Sequence, residues 1–160
     1  MRLRSLPDLG PHGEGWFLIQ LVLFGLIAIA GAAGPDWSGS LRLAVAGAGA
    51  ALIVAGATLS LRGVLDLGTN LTPFPKPLAG ARLVDCGAYR LARHPIYGGL
   101  IVAAAGWGLA TASIPALMGA AVLAGFFDLK SRREEGWLAE KFSDYPIYRS
   151  RTRRLIPWLY

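Results

Sequence analysis

One cysteine, Cys86, is all that the 160 residues contain. An internal disulfide framework and a multi-cysteine zinc site are therefore excluded. Histidine is nearly as scarce: His12 and His94 stand far apart, and no metal site is expected. Charge is sparse as well, at 16% of residues against about 25% in an ordinary soluble domain. That argues against a water-soluble globule. A hydrophobic content of 54% and a mean hydropathy of +0.46 argue equally against disorder. There is no P-loop, no GxGxxG fingerprint, no Ser-His-Asp order and no internal repeat. The net charge of +6 comes without an interleaved aromatic and basic groove, so no nucleic-acid partner is expected.

What the chain does have is long uncharged runs. They cover residues 15–35, 43–61 and 94–127. The first two are each about long enough to cross roughly 30 Å of hydrocarbon as a helix. The third is too long for one span. Near its centre, Thr111-Ala112-Ser113-Ile114-Pro115 offers a capping serine and a first-turn proline, which predicts a tight hairpin between two short spans. The alternative is one long kinked helix. Basic residues decide between them. Arg2 and Arg4 precede the first run; Arg62, Lys76, Arg82, Arg90 and Arg93 separate the second from the third; a basic tail of Lys130, Arg132, Arg133, Lys141, Arg149, Arg151, Arg153 and Arg154 follows. Four spans place all of these on the cytoplasmic side and leave only Arg42 outside, as the positive-inside rule requires. Arg2, Arg4 and Ala30-Gly31-Ala32 have the outline of a cleaved signal peptide, but the apolar run exceeds the usual 7–15 residues of one.

The expectation is a single all-α integral-membrane domain over residues 1–160. Its spans fall near 16–34, 43–61, 96–112 and 114–129, followed by a C-terminal cytoplasmic helical segment, with both termini cytoplasmic. The Ala/Gly-rich composition points to a prokaryotic inner membrane. Within the second span, Gly47, Ala51 and Ala55 recur every four residues, and Gly99 with Ala103 makes a similar strip in the third. Small strips let helices approach closely, so Gly47, Ala51 and Ala55 are expected to pack inside the bundle, an oligomer interface being the alternative.

Two polar segments hold the chemistry. The linker of about 30 residues before the third span carries Pro73, Pro75 and Pro77, which favour an extended path. A structureless loop of that length usually has a function. It ends in Arg93-His94-Pro95-Ile96-Tyr97-Gly98-Gly99, a helix start in which His94 and Tyr97 share a face. Read alone, these residues suit either a ligand site at the positive helix end or anchoring at the headgroup level. After the fourth span comes Lys130-Ser131-Arg132-Arg133-Glu134-Glu135-Gly136-Trp137-Leu138, either a solvated charge run or a grip for a cationic or hydroxyl-rich ligand.

In combination, NLTPFPKP, LVDCGAYRLA, RHPIYGG, a hairpin and EEGWLAEKFSDYPIYRSRTRRLIP resemble the isoprenylcysteine carboxyl methyltransferase and phospholipid methyltransferase group, over roughly residues 67–157. The resemblance implies a membrane enzyme that takes S-adenosylmethionine and methylates a lipophilic small molecule or lipid. It implies that Tyr89, His94, Pro95, Tyr97, Gly98, Glu134 and Glu135 bind the cofactor, with Arg90, Tyr148 and Arg151 as further positions. Glu135 is the candidate general base and Arg133 the candidate to orient an anionic acceptor. This chain has Cys86-Gly87-Ala88 where the family commonly has a proline before the tyrosine. Two other readings compete: an NADPH-dependent membrane reductase of related architecture, and a non-catalytic membrane assembly protein.

Overall fold

The computed structural model describes residues 7–34, 38–157 and 160. Arg2, Arg4 and Pro35 at the edge of the first apolar run lie outside the described residues. Five α-helices follow in order: α1 Glu14–Ala32, α2 Ser40–Leu67, α3 Pro95–Ala110, α4 Ile114–Lys141 and α5 Tyr145–Arg151. There is no strand among the described residues, only an isolated parallel bridge from Ala92 to Arg153. Three helices, α1, α2 and α4, are long and apolar enough to cross a membrane, and α3 is a shorter apolar helix of 16 residues. At about 1.5 Å per residue α3 is short for a full crossing. The protein is an all-helical integral-membrane fold.

The hairpin between α3 and α4 forms where Ser113 and Pro115 place it. The Ser113 hydroxyl accepts from Ala116 N at 3.2 Å and donates to the Ala30 carbonyl at 2.7 Å, so one side chain caps α4 and ties it to α1. The helices lie in the order α2, α3, α4, α1, with α1 also touching α3. Ile27, Ile101, Leu123, Phe127 and Leu155 form the core between α1, α3 and α4. Outward faces carry Val22, Leu26, Ile29, Leu43, Val54, Met118 and Val122, all exposed. An apolar exterior this extensive is stable only against hydrocarbon.

The close approach of α2 to α3 uses a different strip from the expected one. Gly47, Ala51 and Ala55 are exposed, and a Cβ on Gly47 would meet nothing within 4 Å. The packing face is Gly49, Gly56 and Gly63. A Cβ on Gly56 would collide with the Gly99 carbonyl, one on Gly49 with Gly106 and Ala110, and one on Gly63 with Ile96 and Pro95. Gly99 is in turn filled by Gly56 and Ser60, as its strip predicts. Ser60 donates to the Ile96 carbonyl at 3.0 Å. In a sequence as small-sided as AVAGAGAALIVAGA nearly every face is smooth, and the partner selects one.

The connectivity brings the start of α1, the end of α2, the start of α3 and the end of α4 to one end of the bundle, where α5 and the tail also lie. Arg62, Lys76, Arg82, Arg90 and Arg93 belong to that end, and Arg42 to the opposite one.

Candidate active site

The proline segment folds back over the charged end. Asn70 holds Arg82 in a reciprocal pair, its amide donating to the Arg82 carbonyl at 3.1 Å and its oxygen accepting from Arg82 N at 3.2 Å. Lys76 donates to the Pro11 carbonyl at 3.1 Å, and Lys141 donates to the carbonyls of Leu78 and Ala79. Pro75 is fully buried and would collide with any side chain at Gly13. The loop thereby closes a cavity of about 430 Å³, within the range of small-molecule sites.

The approach to α3 is a 3-10 turn, Gly87–Arg90. Gly87 adopts φ +57°, and the Asp66 carboxylate of α2 accepts from Ala88 N at 2.7 Å in the space a side chain would occupy. A left-handed glycine and a carboxylate cap make the turn here without a proline before Tyr89. Arg93 N and His94 N then donate to the carbonyls of Arg153 and Arg154, at 2.8 and 2.9 Å, pinning the tail beneath the α3 start. Gly98 is required by the same contact, since any Cβ there would overlap the Leu155 carbonyl.

His94 is the residue just before the first turn of α3, and its ring stacks on Tyr97 at 5.4 Å with an interplanar angle of 2°. Tyr97 stacks in turn on Phe127 at 4.5 Å. The Tyr97 hydroxyl donates to Glu134 Oε2 at 2.9 Å, and His94 Nδ1 lies 3.8 Å from the same oxygen. The helix mouth and the glutamate pair, some forty residues apart, therefore meet at one wall.

The two glutamates differ. Glu134 has a side chain 23% exposed and lines the cavity. Glu135 is 1% exposed and lies outside it, at the centre of a basic cluster. Arg93 Nε donates to its Oε1 at 2.7 Å; Arg154 Nε stands 3.4 Å away, His94 Nε2 3.5 Å and Arg149 Nε 3.6 Å. Arg93 also donates to the carbonyls of Arg149 and Thr152. Glu135 thus joins α4, the α3 start and the tail.

Of the positions expected from sequence, Tyr89, His94, Tyr97 and Glu134 line the cavity together, and Tyr148 lines it with them. Pro95 and Gly98 are buried behind that wall, shaping it without facing the cavity. Arg133 binds Asp8 and stacks on Trp137 at 4.0 Å, away from the cavity. Arg90 and Arg151 are exposed and do not line it. Burial pushes the hydroxyls of Tyr89, Tyr145 and Tyr148 well above their ordinary pKa, so all three stay neutral. Tyr148 donates to the Tyr89 carbonyl at 2.8 Å.

Sequence reasoning placed Lys130 at the head of the charged segment without a site role, and it missed Gln20. Lys130 is fully buried on the cavity wall and donates to Gln20 Oε1 at 2.6 Å. The available signal was Gln20, the lone amide in the apolar run of α1, since polar groups inside spans rarely lack a job.

The fold and this site define a membrane-embedded helical protein with a charged, aromatic-walled cavity at one end. The phospholipid methyltransferase family model matches residues 45–145, and the chain belongs to that family of membrane methyltransferases. The match begins within α2 and ends at Tyr145, taking in the glutamate pair. No curated protein matches the chain.

Proposed function

We propose that the protein transfers a methyl group from S-adenosylmethionine to a lipophilic acceptor at the cytoplasmic membrane face. One observation carries this reading: His94 and Tyr97 of the α3 start and Glu134 of α4 line a single cavity. The donor set fits the molecule. A carboxylate beside stacked aromatic faces suits a cationic nucleoside derivative with ammonium and hydroxyl groups. When bound, S-adenosylmethionine supplies a methyl group made electrophilic by its sulfonium.

In this reading Glu134 takes the cationic or hydroxyl groups, and Tyr89, His94 and Tyr97 form the wall that orients them and excludes water. Pro95 and Gly98 set the helix start from behind. Glu135, committed to Arg93, serves as a positioning residue rather than the general base. Arg133 ties α4 to the segment before α1 and does not touch the acceptor. Val64, Leu67, Ile96 and Leu100 bring the cavity wall onto the apolar sides of α2 and α3, suiting an acceptor that enters from the bilayer. The acceptor class spans isoprenylcysteine-like carboxylates, phospholipid amines and other small lipophilic molecules.

Calorimetry on the purified protein in detergent tests the reading with S-adenosylhomocysteine, the demethylated product. Saturable binding is expected. Absence of binding at millimolar ligand, with the protein folded by thermal melting, would overturn it.

A further inference from the structure

The cavity wall also carries a buried lysine. Lys130 is 1% exposed, and among the described residues its side chain makes one hydrogen bond, to a neutral amide, Gln20. Its Nζ sits 5.0 Å from the centre of the Tyr97 ring. Among the described residues it forms no ion pair. An ammonium has three donors, so two are left for the cavity. A buried charge without a counter-ion is costly, which makes an anion the natural missing partner. The other buried cation lining the cavity, Arg93, is already satisfied by Glu135 and two carbonyls.

Four residues along the same helix stands Glu134. Spacing of i and i+4 puts the two side chains on one face. They do not pair with each other; Tyr97 lies between, its ring near Lys130 and its hydroxyl on Glu134. The wall therefore presents a fixed cation and a fixed anion with an aromatic face between them.

We propose that Lys130 and Glu134 form a cradle for a zwitterion, with Lys130 holding its anionic group and Glu134 its ammonium. This rests on the methyltransferase reading and extends it. Two molecules of that reaction class have the chemistry: the amino-acid end of S-adenosylmethionine, and an aminophospholipid headgroup with its phosphate and ammonium.

Lys130→Met keeps the length of the side chain, removes the charge and suits a buried site. Binding of three ligands to this variant and to the wild type, measured in detergent, tests the cradle: S-adenosylhomocysteine, methylthioadenosine (which lacks the amino-acid end) and phosphatidylethanolamine, with diacylglycerol as the headgroup-free control. If the occupant is the donor, S-adenosylhomocysteine weakens at least tenfold while methylthioadenosine stays within twofold. If it is the headgroup, phosphatidylethanolamine weakens at least tenfold and diacylglycerol stays within twofold. Either result supports the cradle and names its occupant. Unchanged binding of both zwitterions overturns it. So does an equal loss for the ligands lacking the charges, which would make Lys130 a structural residue. A wild type that ignores S-adenosylhomocysteine but binds phosphatidylethanolamine through Lys130 sinks the cofactor reading and leaves the cradle standing. A wild type that binds neither ends both.

Discussion

Adjacent glutamates in this protein occupy opposite kinds of environment, and their substitutions should part accordingly. Glu134 faces the cavity with one tyrosine donor. Glu134→Ala is expected to weaken S-adenosylhomocysteine by about 1.5–3 kcal/mol, as for a lost charged hydrogen bond, with little change in thermal midpoint. Glu135→Ala would leave the buried Arg93 guanidinium without its carboxylate, at a cost of about 3–5 kcal/mol in stability. Glu135→Gln keeps an acceptor for Arg93 and should recover part of both the melting temperature and the cofactor affinity. Melting and calorimetry on the three variants check this, and matching profiles for Glu134→Ala and Glu135→Ala would refute the division. The sequence Glu134-Glu135 marked both acids as candidates but not their separate surroundings. Neighbours on a helix differ in azimuth by about 100°, and the arginines that claim Glu135 come from the segment leading into α3 and from the tail.

Between helices, contact is set by glycines. Gly56→Leu should force α2 away from α3, lowering the thermal midpoint and the yield of folded protein, while Gly47→Leu should change neither. Equal tolerance of both would show that the α2–α3 contact is not close-packed. Ser113→Ala removes a cap and a link to Ala30, with an expected loss of about 1–2 kcal/mol, read by thermal melting. The hairpin was legible because its signal is local: a capping serine, a first-turn proline and a run too long for one span. The choice of glycine face was not, because it depends on a partner some thirty to sixty residues away. A usable sign did exist. Gly49, Gly56 and Gly63 recur every seven residues on α2, as do Gly99 and Gly106 on α3.

At the level of the molecule, the basic residues gather at the end that carries the cavity, the arrangement expected of a cytoplasmic face. Cys86 is exposed at that end and provides a native probe. A membrane-impermeant maleimide should leave Cys86 unlabelled when applied to intact cells and label it in lysed membranes. A cysteine introduced at Arg42 should show the reverse pattern, and labelling of Cys86 from outside would invert the orientation. The succession of apolar helices and the polar segments could be read from the uncharged runs, the hairpin signal at Ser113 and Pro115, and the placement of basic residues. The cavity itself could not, because its roof is the proline loop, held by backbone carbonyls of residues 11, 78 and 79 that no motif records.

The pairing of residues 93 and 94 with 153 and 154 has a consequence for biosynthesis. A polypeptide ending at residue 141 would already hold all four apolar helices, yet it would lack the floor under His94. Competence waits for the codons near 155. A message truncated between those points would yield a properly inserted bundle whose ligand wall is never locked.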